Sequence, residues 1–228
     1  YTESGEGAKR FALPEALDGA PFSVEDVRQF ALVASGKLPL IVHVDRAVDI
    51  AQAIKIQKQF GIRLVVIGGA EAWKLASELA AAQIGVILNG ENNLPVSFDH
   101  LGARLDSAAI LNRAGVEIAF SGENATTHNA RNIRQVAGLA VAHGLDWGQA
   151  VRALSRSAAG LLGIEADAGQ LQPGAIADLV VWEGDPLELD SYPSHVFIKG
   201  EAMDLSNRQT KLRDRYLDLK SELPPAYR

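Results

Sequence analysis

His43 is the residue of this chain best placed to do chemistry. It lies near the end of the apolar run Leu40 to Val44, LIVHV, and a helix-like stretch begins three residues later at Ala47. A side chain at the C-terminal end of a buried parallel strand faces the open end of a strand–helix layer, where metal ligands and general bases are held, and an imidazole can serve as either. The same position suits a partly buried histidine satisfied by its neighbours, and the segment alone leaves both readings open. Asp45 and Asp49 bracket the start of the helical stretch, where carboxylates suit the positive end of a helix dipole. The chain has no cysteine, so disulfides and thiolate metal sites are excluded and His, Asp and Glu remain as possible ligands.

The other polar residues have plainer readings. His100 follows Pro95, Ser97 and Asp99 on a long connection that could cover a site, but those neighbours are turn chemistry. His128 and Asn129 precede a helical stretch, which makes Thr127 or Asn129 a cap. His143 stands before Gly144 at a helix end, as the dipole favours, and His195 opens a strand-like run remote from the other candidates. Trp73 reads as a packing aromatic on a helix face. Glycines 68, 69 and 90 lack the spacing of either nucleotide-binding loop.

Positioning such residues requires a regular scaffold, and the sequence supplies one. Ser23 to Gly36 reads as a helix with Ser23 as its cap. Four strand-like runs follow, Leu40 to Val44, Arg63 to Ile67, Gly85 to Leu88 and Glu117 to Ser121, separated by helical patterns at Ala47 to Phe60, Glu71 to Ala82 and Ser107 to Ala114. This alternation predicts βαβ units in a parallel sheet, with the first strand covered on both faces. Helices are expected at Asn129 to His143 and over Trp147 to Leu162 with a break at Ser155 to Ser157. From Gly163 the helical period gives way to a β region with Pro-Gly and Gly-Asp turns, and a last helix starts at Ser206, where Gln209 completes a capping box.

With 47% hydrophobic and 22% charged residues, the 228-residue chain is of ordinary globular α/β composition. A net charge of −6 without a concentrated basic face argues against nucleic acid or an anionic membrane as partner. No apolar run is long enough to span a bilayer, and the first residues do not resemble a signal peptide.

Several segments together resemble one family: HVDRAVDI, VVIGGAEAWKLASELAAAQIGVIL, RAGVEIAFSGEN and, above all, GQLQPGAIADLVVWEGDPLELDSYPSHVFIKGE. They are similar to the C-terminal half of the amidohydrolase superfamily, nearest its imidazolonepropionase-like branch, over about residues 38 to 203. The resemblance implies half of a distorted (β/α)8 TIM barrel, strands five to eight, plus the C-terminal part of a small β-sandwich. Residues 1–162 would belong to the barrel, 163–203 to the sandwich and 204–228 to a terminal helix and tail. Four strands of a barrel leave open edges and an uncovered interior, so the expected partner is the N-terminal half of the same barrel, in the same or a separate chain, and the expected assembly is a homo-oligomer. On this reading the chain is a C-terminal part of a longer protein or one chain of a two-chain assembly. The compartment stays open between an exported, periplasmic location and the cytoplasm.

What the resemblance implies for the site can be followed residue by residue. Family enzymes hold one or two divalent ions, commonly zinc, through histidines ending strands one, five and six, a lysine or glutamate on strand four and an aspartate after strand eight. His43 matches the fifth-strand ligand. Gly68 stands where the sixth-strand histidine belongs, and Glu123 aligns with the aspartate that both touches metal and takes the proton of the attacking water. The implied activity is a metal-dependent hydrolase acting on carbon–nitrogen bonds of cyclic amides or dipeptide-like small molecules, with His43 and Glu123 as ligands and Glu123 as base. Losing one imidazole weakens an ion site steeply, and Glu for Asp moves the carboxylate by one methylene. The alternative is a metal-free, degenerate scaffold or partner subunit.

Overall fold

The computed structural model describes residues 24–90, 97–122 and 127–217. These divide into two compact units, the first built from the chain up to Ala175 together with Pro186–Leu189, the second from Ile176–Asp185 and the chain from Asp190 onward. The cap expected at Ser23 lies outside the described residues.

The first unit is an α/β layer. Helix α1 (Val24–Ala34) leads into strand β1 (Leu40–Val44), helix α2 (Ala47–Phe60), β2 (Leu64–Gly68), a 3-10 turn at Ala72–Leu75, α3 (Ala76–Ala81), β3 (Gly85–Leu88), α4 (Ser107–Arg113) and β4 (Ile118–Phe120). The four strands are parallel and ordered β1-β2-β3-β4, with His43 beside Ile67 and Val44 beside Gly68. A 3-10 turn at Thr127–Asn132, α5 (Ile133–Ala142), α6 (Trp147–Ala153) and α7 (Arg156–Leu162) complete the unit.

Side chains alternate across the strands and therefore feed two separate cores. Leu64, Val66, Val86, Leu88, Ile118 and Phe120 pack with Ile50, Leu79, Leu111 and Val136 of the helices, whereas Val65, Ala119 and Ile87 face the other way and meet Ala158 and Leu161 of α7. Along β1 the expected cover on both faces fails. Leu40, Val42 and Val44 pack on the larger core, while Ile41 and His43 are exposed. Among the described residues β1 pairs with a strand on one side only.

The stretch expected as one helix from Glu71 to Ala82 begins as a 3-10 turn at Ala72–Leu75. Ala47 N–H at the head of α2 donates to Glu71 Oε2 at 2.9 Å, so this carboxylate closes a helix 24 residues upstream, in the place the sequence suggests for Asp45 or Asp49.

The second unit contains an antiparallel sheet ordered β5-β6-β7, from β5 (Leu179–Trp182), β6 (Pro193–Ile198) and β7 (Glu201–Ala202). Lys199 and Gly200, both with positive φ, make the two-residue hairpin turn between the last two. Helix α8 (Arg208–Leu217) is capped by Asn207 rather than Ser206. Asn207 Oδ1 accepts the N–H groups of Gln209 and Thr210 while Thr210 Oγ1 accepts that of Asn207, and Ser206 Oγ donates to Asp204 instead. Among the described residues no helix is long and apolar enough to cross a membrane.

Candidate functional site

At the C-terminal ends of β1 to β4 the first unit holds a cavity of about 480 Å³, and His43, Asp45, Gly68, Asn89, His100 and Ser121 contribute to its lining. The turns that leave β1 and β2 are stitched together beneath it. Gly69 N–H donates to Val44 O at 2.9 Å, Glu71 N–H to Asp45 O at 2.8 Å and Ala70 N–H to Asp45 Oδ1 at 3.2 Å. The last of these fixes the Asp45 carboxylate, whose side chain is only 13% exposed.

Two imidazoles meet that carboxylate. Asp45 Oδ2 lies 3.7 Å from His43 Nε2 and 3.6 Å from His100 Nε2. His43 stands out from β1 with its side chain 75% exposed, while His100 is 22% exposed and comes from the short 3-10 turn Phe98–His100. Ser97 caps that turn, as its sequence suggests, accepting from Asp99 N–H at 3.3 Å, and its hydroxyl is also hydrogen-bonded to His100 Nδ1 at 2.8 Å. His100 therefore belongs to the cavity as well as to the turn.

Trp73 is what holds this loop in place. Its indole N–H donates to Gly102 O at 2.8 Å, and the Arg104 guanidinium sits 4.6 Å from the ring centroid, a cation–π contact. Arg104 is in turn paired with Asp106. A Cβ at Gly102 would lie 2.6 Å from Glu71 Oε1, so the Glu71 side chain would have to shift to admit one. Ser107, at the start of α4, lines the cavity and keeps a buried hydroxyl with no hydrogen-bond partner among the described residues.

Charge supports the same geometry. The N–H of Ala47, followed by Lys74, holds the Glu71 carboxyl below the usual carboxylate range, and Arg104 holds Asp106 below it. A group with a depressed folded-state pKa stabilises above its unfolded value and loses that contribution as pH falls through the folded one. Wild type is therefore expected to exceed Glu71→Gln in stability at neutral pH, with the difference closing on acidification through the lowered Glu71 value. Urea midpoints across that range test it, and a gap that stays constant with pH would refute the assignment.

The structure thus brings His43 to the cavity rim, and Ser121 and Gly122 line the cavity, but Glu123 lies outside the described residues. The side chains of Thr127, His128 and Asn129 lie outside them too. His143 caps the end of α5, with its Nδ1 hydrogen-bonded to Leu139 O at 2.9 Å, and His195 is exposed on β6. Asp45, His100 and Trp73 are site residues for which the sequence suggested other roles, at a helix dipole, in turn chemistry and in packing. The available signal was the spacing of His43 and Asp45, two apart in extended chain and so on one side of it.

These residues test poorly as ligands of a divalent ion. Among the described residues no three His, Asp or Glu side chains are arranged to hold one. Gly68, where the resemblance would put the sixth-strand ligand, has φ +94°, and a Cβ built there would fall 2.7 Å from Asp45 Oδ1 and 2.9 Å from His43 Cδ2. The space for a side chain at that position is taken by Asp45 and His43.

A parallel α/β layer with its cavity at the C-terminal strand ends fits the resemblance drawn from the motifs, and the amidohydrolase family profile matches residues 31–203. The chain belongs to the amidohydrolase family. It is 28% identical over 184 residues to an imidazolonepropionase from Maricaulis maris (strain MCS10), covering 77% of this chain and 44% of that protein. It is also similar to the crystal structure of an amidohydrolase from Thermotoga maritima MSB8, with a TM-score of 0.71 and 29% identity over 83% of this chain and 50% of that one. An adenosine deaminase from Xanthomonas campestris, solved with bound zinc, shares the fold at a TM-score of 0.57 and 17% identity. The chain spans about half the length of these relatives.

Proposed function

We propose that this chain is the C-terminal half of a (β/α)8-barrel hydrolase that opens a carbon–nitrogen bond in a cyclic amide or a dipeptide-like small molecule. The observation that carries the reading is the cavity at the C-terminal ends of four parallel strands, with His43 at its rim, in a chain of this family. On this reading β1 to β4 are barrel strands five to eight, the antiparallel sheet of the second unit is the C-terminal share of a β-sandwich, and the N-terminal half of the barrel closes against β1 and β4. Glu123 is the residue offered as base.

A zinc-dependent form of this activity needs the complementary half to supply most of the ligands, with His43 and Glu123 as this chain's share. The geometry at Gly68 favours a second reading, in which the pocket is metal-free and the chain acts as a binding or partner subunit. Elemental analysis of the full-length protein, paired with turnover on a panel of amides and dipeptides, separates the two. Stoichiometric zinc that is lost in His43→Ala, together with turnover, supports the metal-dependent hydrolase. Turnover without an ion keeps the hydrolase and removes zinc, and neither ion nor turnover leaves the subunit reading.

A further inference from the structure

We propose that Asp45 takes the organising place of an ion in this pocket, holding His43 and His100 together, and that His100 replaces the missing sixth-strand side chain as the pocket's second imidazole. The proposal rests on the metal-free reading of the pocket and goes beyond it by naming what holds the site instead.

The argument begins at Gly68. A simple loss of a ligand leaves room where the side chain was, but here the room is closed, with Asp45 Oδ1 at 2.7 Å and the His43 ring at 2.9 Å from the point where a Cβ would stand. Asp45 is fixed in that place by Ala70 N–H, which donates to Oδ1 at 3.2 Å and leaves Oδ2 for the two imidazoles, at 3.6 and 3.7 Å. Asp45, 13% exposed, thus faces both imidazoles with one carboxylate oxygen while the backbone holds the other. His100 has no counterpart among the strand-end positions. It arrives from the loop after β3, and that loop is pinned independently at Gly102 by the Trp73 indole and at Arg104 by the face of the same ring. Ser97 holds Nδ1, so that Nε2 is the nitrogen presented to Asp45. Three stretches of sequence, 43–45, 68–73 and 97–104, converge to put a second imidazole into a site that has lost one.

The experiment reads the histidine rings directly. In the full-length protein labelled with ¹⁵N-histidine and held at one pH, ring signals of wild type, Asp45→Asn and Trp73→Phe are compared, with and without EDTA. The expected result is that EDTA leaves the His43 and His100 rings unmoved, that Asp45→Asn moves both while His143 and His195 stay in place, and that Trp73→Phe moves His100 but not His43. Because His143 and His195 report any general loss of structure, the Trp73→Phe arm keeps the test usable if Asp45→Asn fails to fold. Movement of the His43 ring on adding EDTA would overturn the metal-free reading and this proposal with it. With EDTA inert, a His100 ring unmoved by Asp45→Asn overturns the proposal alone. Turnover plays no part in either outcome, so loss of the hydrolase reading leaves this test intact.

Discussion

Placing a histidine at position 68 is expected to destabilise the protein rather than rebuild an ion site. The backbone there has φ +94°, which side chains other than glycine adopt at a cost of about 1–3 kcal/mol. The new Cβ would also stand 2.7 Å from Asp45 Oδ1 and 2.9 Å from His43 Cδ2, so the carboxylate and the ring must both leave their places. Overpacking of this kind adds roughly another 1–3 kcal/mol. Gly68→His should therefore lower the urea midpoint clearly and take up no zinc in elemental analysis. An unchanged midpoint with stoichiometric zinc would show that His43 and Asp45 step aside freely, and would return Gly68 to the status of a simple vacancy.

The second large effect is expected in the core under the cavity. Leu111 is fully buried among the helices and strands of the larger cluster, on the helix that carries Ser107 and Ala108 to the cavity wall. Leu111→Ala removes that packing and leaves a void, a change that costs about 2–5 kcal/mol. At this chain length that corresponds to a fall of roughly 5–15 °C in melting temperature. Ile41, on the uncovered face of β1, is 43% exposed, and Ile41→Ala in this chain should lose much less. Thermal unfolding of the two variants side by side checks the contrast. Equal losses in this chain would mean that the second face of β1 is not open, whereas a rise at Ile41 confined to the longer protein would be the mark of a complementary half lying on it.

How legible this was depended on the distance over which each contact acts. The runs Leu40 to Val44, Ala47 to Phe60 and Gly85 to Leu88 were readable to the residue, because a buried parallel strand and an amphipathic helix are written in local periodicity. The segment from Glu71 to Ala82 was readable only as helical. Its first turn is 3-10, and its Glu71 carboxylate accepts from Ala47, a partner no local pattern announces. The local pattern read β1 as covered on both faces, since an apolar strand looks alike whether or not something covers it, whereas the half-barrel reading expected an uncovered interior. At the site, His43 was legible as the polar residue in an apolar run, and Gly68 as a departure from a family motif. His100 looked like turn chemistry because its Ser97 neighbour is exactly that kind of cap, and only folding carries the turn over Asp45. Trp73 looked like packing, and its indole N–H turns out to fasten a loop 29 residues away.

The carboxylate at position 71 carries a last consequence. Helix α2 borrows its N-terminal partner from the next strand–helix unit, 24 residues further along the chain. A stretch of this chain that stops before residue 71 therefore lacks the acceptor for Ala47 N–H, so α2 and the β1 rim depend on the unit that follows them.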